Sequence, residues 1–229
     1  FYGSGIPLCS INDPMEHIAV RIQSLIQRQA AIYGMEDELR LAMRQQKSLR
    51  TEIEKVQEEL QLAATVQRGL LPKSIPEIGD VRFGVMFRPT GFVSGDIYDI
   101  KRLDEHTVGF FLADAVGHGV PAALMTMVIT KGLHTKHIKG SKYDIISPAE
   151  VLYTLNQEML NHQGLSGRFA TGIYGIIDSR DHTVTVAVAG HPPPIIVQAD
   201  GSIHKLDLSG GLLGVFPDEK YDQLSFTLN

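Results

Sequence analysis

The sequence predicts an α+β protein, a layered antiparallel domain preceded by one long helix, and three observations carry that prediction. From Met15 to Leu70 no proline follows Pro14, and Glu, Gln, Arg, Leu and Ala dominate, so nothing stops a helix. Pro72 and Pro76 end it, and beyond them apolar residues alternate with period two in short runs separated by turn residues. Two helix-like segments, at about 121–137 and 148–163, interrupt those runs, and strands followed by helices and strands again suit antiparallel layers.

Residues 1–14, "FYGSGIPLCSINDP", read as a strand remnant and turn left from a preceding domain, with a new helix starting at Asp13 and Pro14. The segment 15–71 is the expected signalling and dimerisation helix. Leu25, Ile32, Leu39, Gln46, Ile53, Leu60 and Gln67 fall seven apart, and Met35, Ala42, Leu49, Val56, Ala63 and Leu70 interleave with them. A single helix of this length cannot bury such a stripe on itself. The sharp reading is a parallel two-stranded coiled coil, hence a homodimer, whose seam includes Leu25, Ile32, Met35, Leu39, Leu49, Ile53, Val56 and Leu60. Gln46 and Gln67 are polar seam positions in that reading, and the plainer alternative is a helix packed on its own domain.

Residues 72–229 form the layered domain. Its expected strands are 81–89, 95–103, 107–114, 169–178, 183–190, 194–198, 202–206 and 222–228, joined mostly as hairpins. The formal charge of −5 leaves no basic footprint for nucleic acid or a membrane surface. A single cysteine, Cys9, forms no internal disulfide, and the chain has no zinc-ligand spacing and no apolar run able to span a bilayer, so a cytoplasmic location is expected.

The chemistry begins at "FFLADAVGHGVPAALM", residues 110–125. If 104–106 is a three-residue loop, Leu103 pairs with Thr107, Tyr98 faces Leu112 and Ile100 faces Phe110 on one apolar face; Asp96 then faces Asp114. Like charges directly opposed on a sheet repel. No Lys or Arg lies beside them, so a bound hard cation such as Mg²⁺ or Mn²⁺ is the simplest counter-charge, against the plainer possibility of two hydrated acids at strand ends. Gly95, Gly117 and Gly119 let backbone come close, and the helix after Gly119 turns its first amides toward the same spot, which favours phosphate. Acids for a metal beside a helix start for an anion describe a phosphate-ester site.

These residues resemble the bacterial PPM-type serine/threonine phosphatases of the SpoIIE and RsbU kind. The resemblance runs in order through "ELQLAATVQRGLLP" (59–72), "RPTGFVSGDIYD" (88–99), "DAVGHGVPAALM" (114–125), "FATGIYGIID" (169–178), "AGHPPP" (189–194) and "GGLLGVFPDEKY" (210–221). It implies a β-sandwich of antiparallel sheets flanked by helices, with two Mn²⁺ or Mg²⁺ ions at one edge. Asp96 would hold one ion, Asp114 would bridge both, and the Ala115 main-chain carbonyl would add an oxygen. A metal-bound water would attack phosphoserine or phosphothreonine directly, and the implied substrate is a STAS-type anti-sigma antagonist in a partner-switching pathway.

Ser94, Ile97 and Val188 depart from the family pattern without removing a ligand. The family's later Asp-Gly motif does not occur before Asn229, so the 229 residues are expected to bind a second metal weakly and turn over little. That leaves a second function open, a catalytically inactive dimeric scaffold for a phosphorylated partner. Gly117, His118 and Gly119 are candidate contacts to phosphate or metal-bound water, with a structural loop role the plainer reading of His118. Arg88 reads as a phosphate contact or a surface ion-pair residue, Asp99 as a structural or outer contact, and His191 as a turn residue. The expected input is a sensor or receiver domain acting through the helix.

Overall fold

The structure, a computed structural model, describes residues 12–140, 142–162 and 167–228. The chain divides into two units, residues 1–58 and 59–229. Residues 1–11, where the strand remnant and Cys9 were expected, lie outside the described residues.

The first unit is the greater part of helix α1 (Met15–Arg68). An Asp13–Arg21 ion pair at 3.1 Å ties its first turns, and Arg50–Glu54 is an i,i+4 pair farther along. The apolar stripe is uncovered within one chain: Ile32, Met35, Leu39, Leu49, Ile53 and Val56 are each 53–69% exposed, and Leu25 is half-buried.

The second unit is built on a five-stranded antiparallel sheet: β1 (Asp96–Arg102), β2 (Thr107–Ala115), β5 (Ala170–Asp178), β6 (Thr183–Ala189) and β9 (Gln223–Thr227), in the order β1-β2-β5-β6-β9. Two ribbons accompany it: β3 (Lys136–Lys139) with β4 (Lys142–Ile145), and β7 (Ile195–Val197) with β8 (Ile203–Lys205). The two remaining helices are α2 (Val120–Gly132) and α3 (Pro148–Asn161). Both helices cover one face, where Met125, Ile129, Val151, Leu152 and Leu155 bury against odd-numbered residues such as Ile97, Phe111 and Ala113. Each such fully buried aliphatic side chain stabilises the fold by about 1.5–3 kcal/mol. Helix α3 begins with a capping sequence, Ser-Pro-Ala-Glu, in which the Ser147 hydroxyl accepts from the Glu150 amide.

The opposite face carries the even-numbered residues of β1 and β2. Val108, Ile100, Ile177 and Val184 pack there with Ile75, Ile78 and Phe83, while Val186, Val188 and Leu206 pack with Ile196 of β7. Phe110 lies over Gly175, its cross-strand partner; a Cβ at Gly175 would stand 2.3 Å from the ring. The second layer is therefore partly ribbon and partly extended chain.

Two elements and one residue placement differ from what the sequence predicts. Residues 82–89 form no strand, and only Val81 makes a bridge, to Ile78. Their alternation arises because Phe83 and Phe87 reach the sheet, with ring centroids 6.4 Å from Phe110 and 5.6 Å from Tyr98, while the backbone has no ladder partner. The helix expected to reach residue 137 stops at Gly132, and the β3–β4 hairpin follows. Gln67, read as a seam position, is buried in the second unit at 4% exposure.

Candidate functional site

The site starts at a turn. Asp104 accepts the amides of His106 (2.8 Å) and Thr107 (2.6 Å), and the Leu103 amide donates to the Thr107 carbonyl at 2.8 Å. This closes the three-residue loop and sets the β1–β2 register, with Asp96 opposite Asp114, Tyr98 opposite Leu112 and Ile100 opposite Phe110. On the far side of Asp114 its partner in β5 is Thr171. Asp96, Asp114 and Thr171 thus form one cross-strand row on the face away from α2 and α3, neighbouring Cβ atoms about 5 Å apart.

Partial loss of hydration, reinforced by the Asp114 carboxylate, holds the Asp96 carboxyl above its usual range, and His191 opposes this. Both acids are open to solvent. Asp99 points the other way: it is 7% exposed, with Lys101 on its carboxylate at 2.5 Å and its charge felt by the buried Tyr174 hydroxyl, a structural placement away from the acid row.

Backbone crowds the acids closely. The Ala115 amide donates to the Gly95 carbonyl (3.0 Å), and a Cβ on Gly95 would stand 2.9 Å from the Ala115 carbonyl oxygen, so glycine is what lets the two backbones come this close next to Asp96 in the chain. Gly117 and Gly119 take φ of +92° and +72°, left-handed values that L side chains rarely adopt. They turn the chain into α2, whose first-turn amides have no side-chain cap. A cleft of 470 Å³ is lined by residues 90–96, Asp114, the 117–119 loop and Leu60 of α1. His118 is exposed in that lining, and Arg88 is exposed outside it.

Two contributors escaped the sequence reading. Gln67, in the last turn of α1, donates from Nε2 to the Ser94 carbonyl (2.6 Å) and to the Thr126 hydroxyl (2.9 Å), while its Oε1 accepts the Ser94 amide (2.9 Å). The Ser94 hydroxyl in turn accepts the Asp96 amide at 3.1 Å. Helix α1, α2 and the strand carrying Asp96 meet at one side chain. The other is His191, read as a turn residue, whose Nδ1 lies 2.8 Å from Thr171 Oγ1 and whose ring feels both Asp96 and Asp114. Loss of hydration pushes its imidazole below the usual histidine range, and the two carboxylates pull it back up. Neither role follows from spacing, which put Gln67 on the helix seam, because each acts across the fold rather than along the chain.

Asp96 and Asp114 offer carboxylate oxygens to one spot, and opposed carboxylates suit a hard divalent cation. Among the described residues no cluster of three or more His, Cys, Asp or Glu that could hold a metal ion assembles.

The antiparallel sheet backed by helices has the fold of PP2C-like structures. The SiaA-PP2C domain of Pseudomonas aeruginosa superposes with a TM-score of 0.61 at 22% identity, over 77% of this chain and 68% of that one. Residues 104–229 match the family described as Stage II sporulation protein E (SpoIIE), and the chain belongs to that family. It is 30% identical over 192 residues to the phosphoserine phosphatase RsbU of Bacillus subtilis (strain 168), covering 83% of this chain and 53% of that protein. The phosphoserine phosphatase RsbP of the same organism is 27% identical over 173 residues, covering 74% and 41%. The chain spans about half the length of the curated relatives it matches.

Proposed function

We propose that the chain is the catalytic region of a metal-dependent phosphoserine/phosphothreonine protein phosphatase that acts in bacterial partner switching, with a STAS-type antagonist as its substrate. The observation that carries this reading is the Asp96–Asp114 cross-strand pair, beside which no lysine or arginine charge is felt among the described residues. Asp96, Asp114 and the Ala115 carbonyl would hold Mn²⁺ or Mg²⁺. When bound, such ions lower the pKa of coordinated water and neutralise charge on phosphoryl oxygens.

The chain's own groups supply the remainder. The acid row fixes where positive charge collects, and the uncapped start of α2 offers its amides to the phosphoryl oxygens from the 117–119 side. The cleft is open, as required for a phosphorylated side chain carried on a folded protein. Helix α1 would signal through Gln67, because any shift of its last turn moves Ser94 and with it the strand bearing Asp96. Dimerisation through the exposed stripe, with an upstream domain setting the helix, and function in the cytoplasm complete the proposal. Among the described residues no helix is long and apolar enough to cross a membrane.

The test is Mn²⁺ binding followed by electron paramagnetic resonance, with hydrolysis of a phosphoserine peptide assayed alongside. Asp114→Asn should abolish binding and Asp96→Asn should weaken it at least tenfold. Wild-type affinity for Mn²⁺ matched by both variants overturns the assignment. Peptide binding with neither metal uptake nor turnover would instead support the dimeric scaffold.

A further inference from the structure

The acid row continues to a residue that the proposed ligand set leaves unused. Thr171 is the third member, and its hydroxyl meets Nδ1 of His191 at 2.8 Å. The ring is half-buried and within electrostatic reach of both carboxylates, yet no hydrogen bond joins it to either. The loop that carries it does not need the imidazole for its shape. Gly190 takes φ of +59° and donates its amide to the Gly210 carbonyl at 2.8 Å; Pro192, Pro193 and Pro194 fix the chain beyond it; and the Leu206 amide closes onto the Pro194 carbonyl at 3.1 Å. The polar contact to Thr171 orients a side chain that already has its backbone in place.

We propose that His191 is a phosphate-contacting residue of this site: the Thr171 hydroxyl donates to Nδ1, and the Nε2–H donates to a phosphoryl oxygen held over the Asp96–Asp114 row. The inference rests on the phosphatase reading above and adds a substrate contact to it. An imidazole with Nδ1 accepting is a neutral Nε2–H donor, and the hydrogen bond at one ring nitrogen selects the tautomer at the other. A neutral donor suits this position. It places no further charge beside the acids before the substrate arrives, and it meets an oxygen that the carboxylates themselves would repel. His191 and the α2 amides would then grip the phosphoryl group from two sides of the acid row.

The test reads binding rather than turnover, using inorganic phosphate with Mg²⁺ and the full chain labelled with ¹⁵N-histidine. Long-range proton–nitrogen correlation at pH 7.5 should show His191 as the Nε2–H tautomer, and Thr171→Val should redistribute it. Phosphate added with Mg²⁺ should move the Nε2 resonance. His191→Ala and His191→Asn should weaken phosphate binding about tenfold or more, the loss expected for a hydrogen bond to a charged group. His191→Gln, which restores a donor near the Nε2 position, should recover most of it, a rescue that a merely structural role does not predict. An Nδ1–H tautomer, or a His191→Ala chain that binds phosphate like the wild type, overturns the inference. So does a parallel loss of Mg²⁺ affinity, which would make the imidazole a metal ligand. If wild-type chain takes up phosphate and Asp114→Asn abolishes it while His191→Ala does not weaken it, this inference alone fails; no uptake by wild type at all removes the phosphatase reading with it.

Discussion

Two carboxylates facing each other across a ladder cost about 0.2–1 kcal/mol when nothing neutralises them. Asp96 shows this, because lost hydration and the Asp114 charge together raise its carboxyl above the usual range. An acid whose folded pKa is raised binds its proton more tightly in the native state, so its ionisation opposes folding. The penalty is absent below the ordinary carboxylate value of about 3.9 and grows as pH rises through the raised value. Without metal, Asp96→Asn should therefore raise the melting temperature by about 1–3 °C at pH 7 and leave it unchanged near pH 3. Calorimetry in the presence of a chelator measures both, and destabilisation at pH 7 would count against the pair as a site of stored repulsion. At the same scale, the Asp96–Asp114 pairing was legible because a loop length and an apolar alternation fix a register. His191 was not, because its meaning depends on Thr171, twenty residues earlier and on another strand.

Helix α1 changes character along its length. Its stripe is exposed from Ile32 to Val56, whereas Ala64 packs with Val93 and Ala123 and Gln67 is buried against Ser94 and Thr126. Heptad spacing reports a continuous apolar face and is silent about what covers it. Ile53→Asp should shift the chain toward monomer in sedimentation with little change in its melting temperature, since Ile53 is 57% exposed within one chain. Gln67→Leu should behave oppositely, leaving the Ser94 amide and carbonyl and the Thr126 hydroxyl without their partner. The Thr126 hydroxyl keeps its bond to the Ala123 carbonyl (2.7 Å), whereas each stranded Ser94 group costs about 1–3 kcal/mol, and a loss of about 3 kcal/mol would lower the melting temperature by roughly 6–12 °C. The 81–89 segment shows the converse limit. Period two records an extended chain with one buried face, and ladder hydrogen bonds require a neighbour that the pattern cannot reveal.

At the scale of the molecule, the unit of residues 59–229 includes the last turns of α1 rather than beginning at Pro72. A chain starting at Glu59 should melt cooperatively within about 3 °C of the full chain. One starting at Pro72 loses the Gln67 hydrogen bonds and exposes Ala123 and Val93, so it should melt at least about 5 °C lower. Circular dichroism on the two truncations decides this, and equal melting temperatures would dismiss the helix end as part of the second unit's core.

The amino-acid sequence by itself determined the local grammar of this protein: the long helix, the breaks at Pro72 and Pro76, most of the strands, and the register that sets Asp96 against Asp114. Those features follow from periodicity, turn chemistry and backbone sterics, which act over a few residues. Tertiary structure alone decided that Gln67 leaves the seam to hold Ser94, that residues 82–89 run without a ladder, and that His191 turns toward the acid row. Each depends on which distant groups a buried polar atom or an extended backbone finds, and that choice is made when the layers pack.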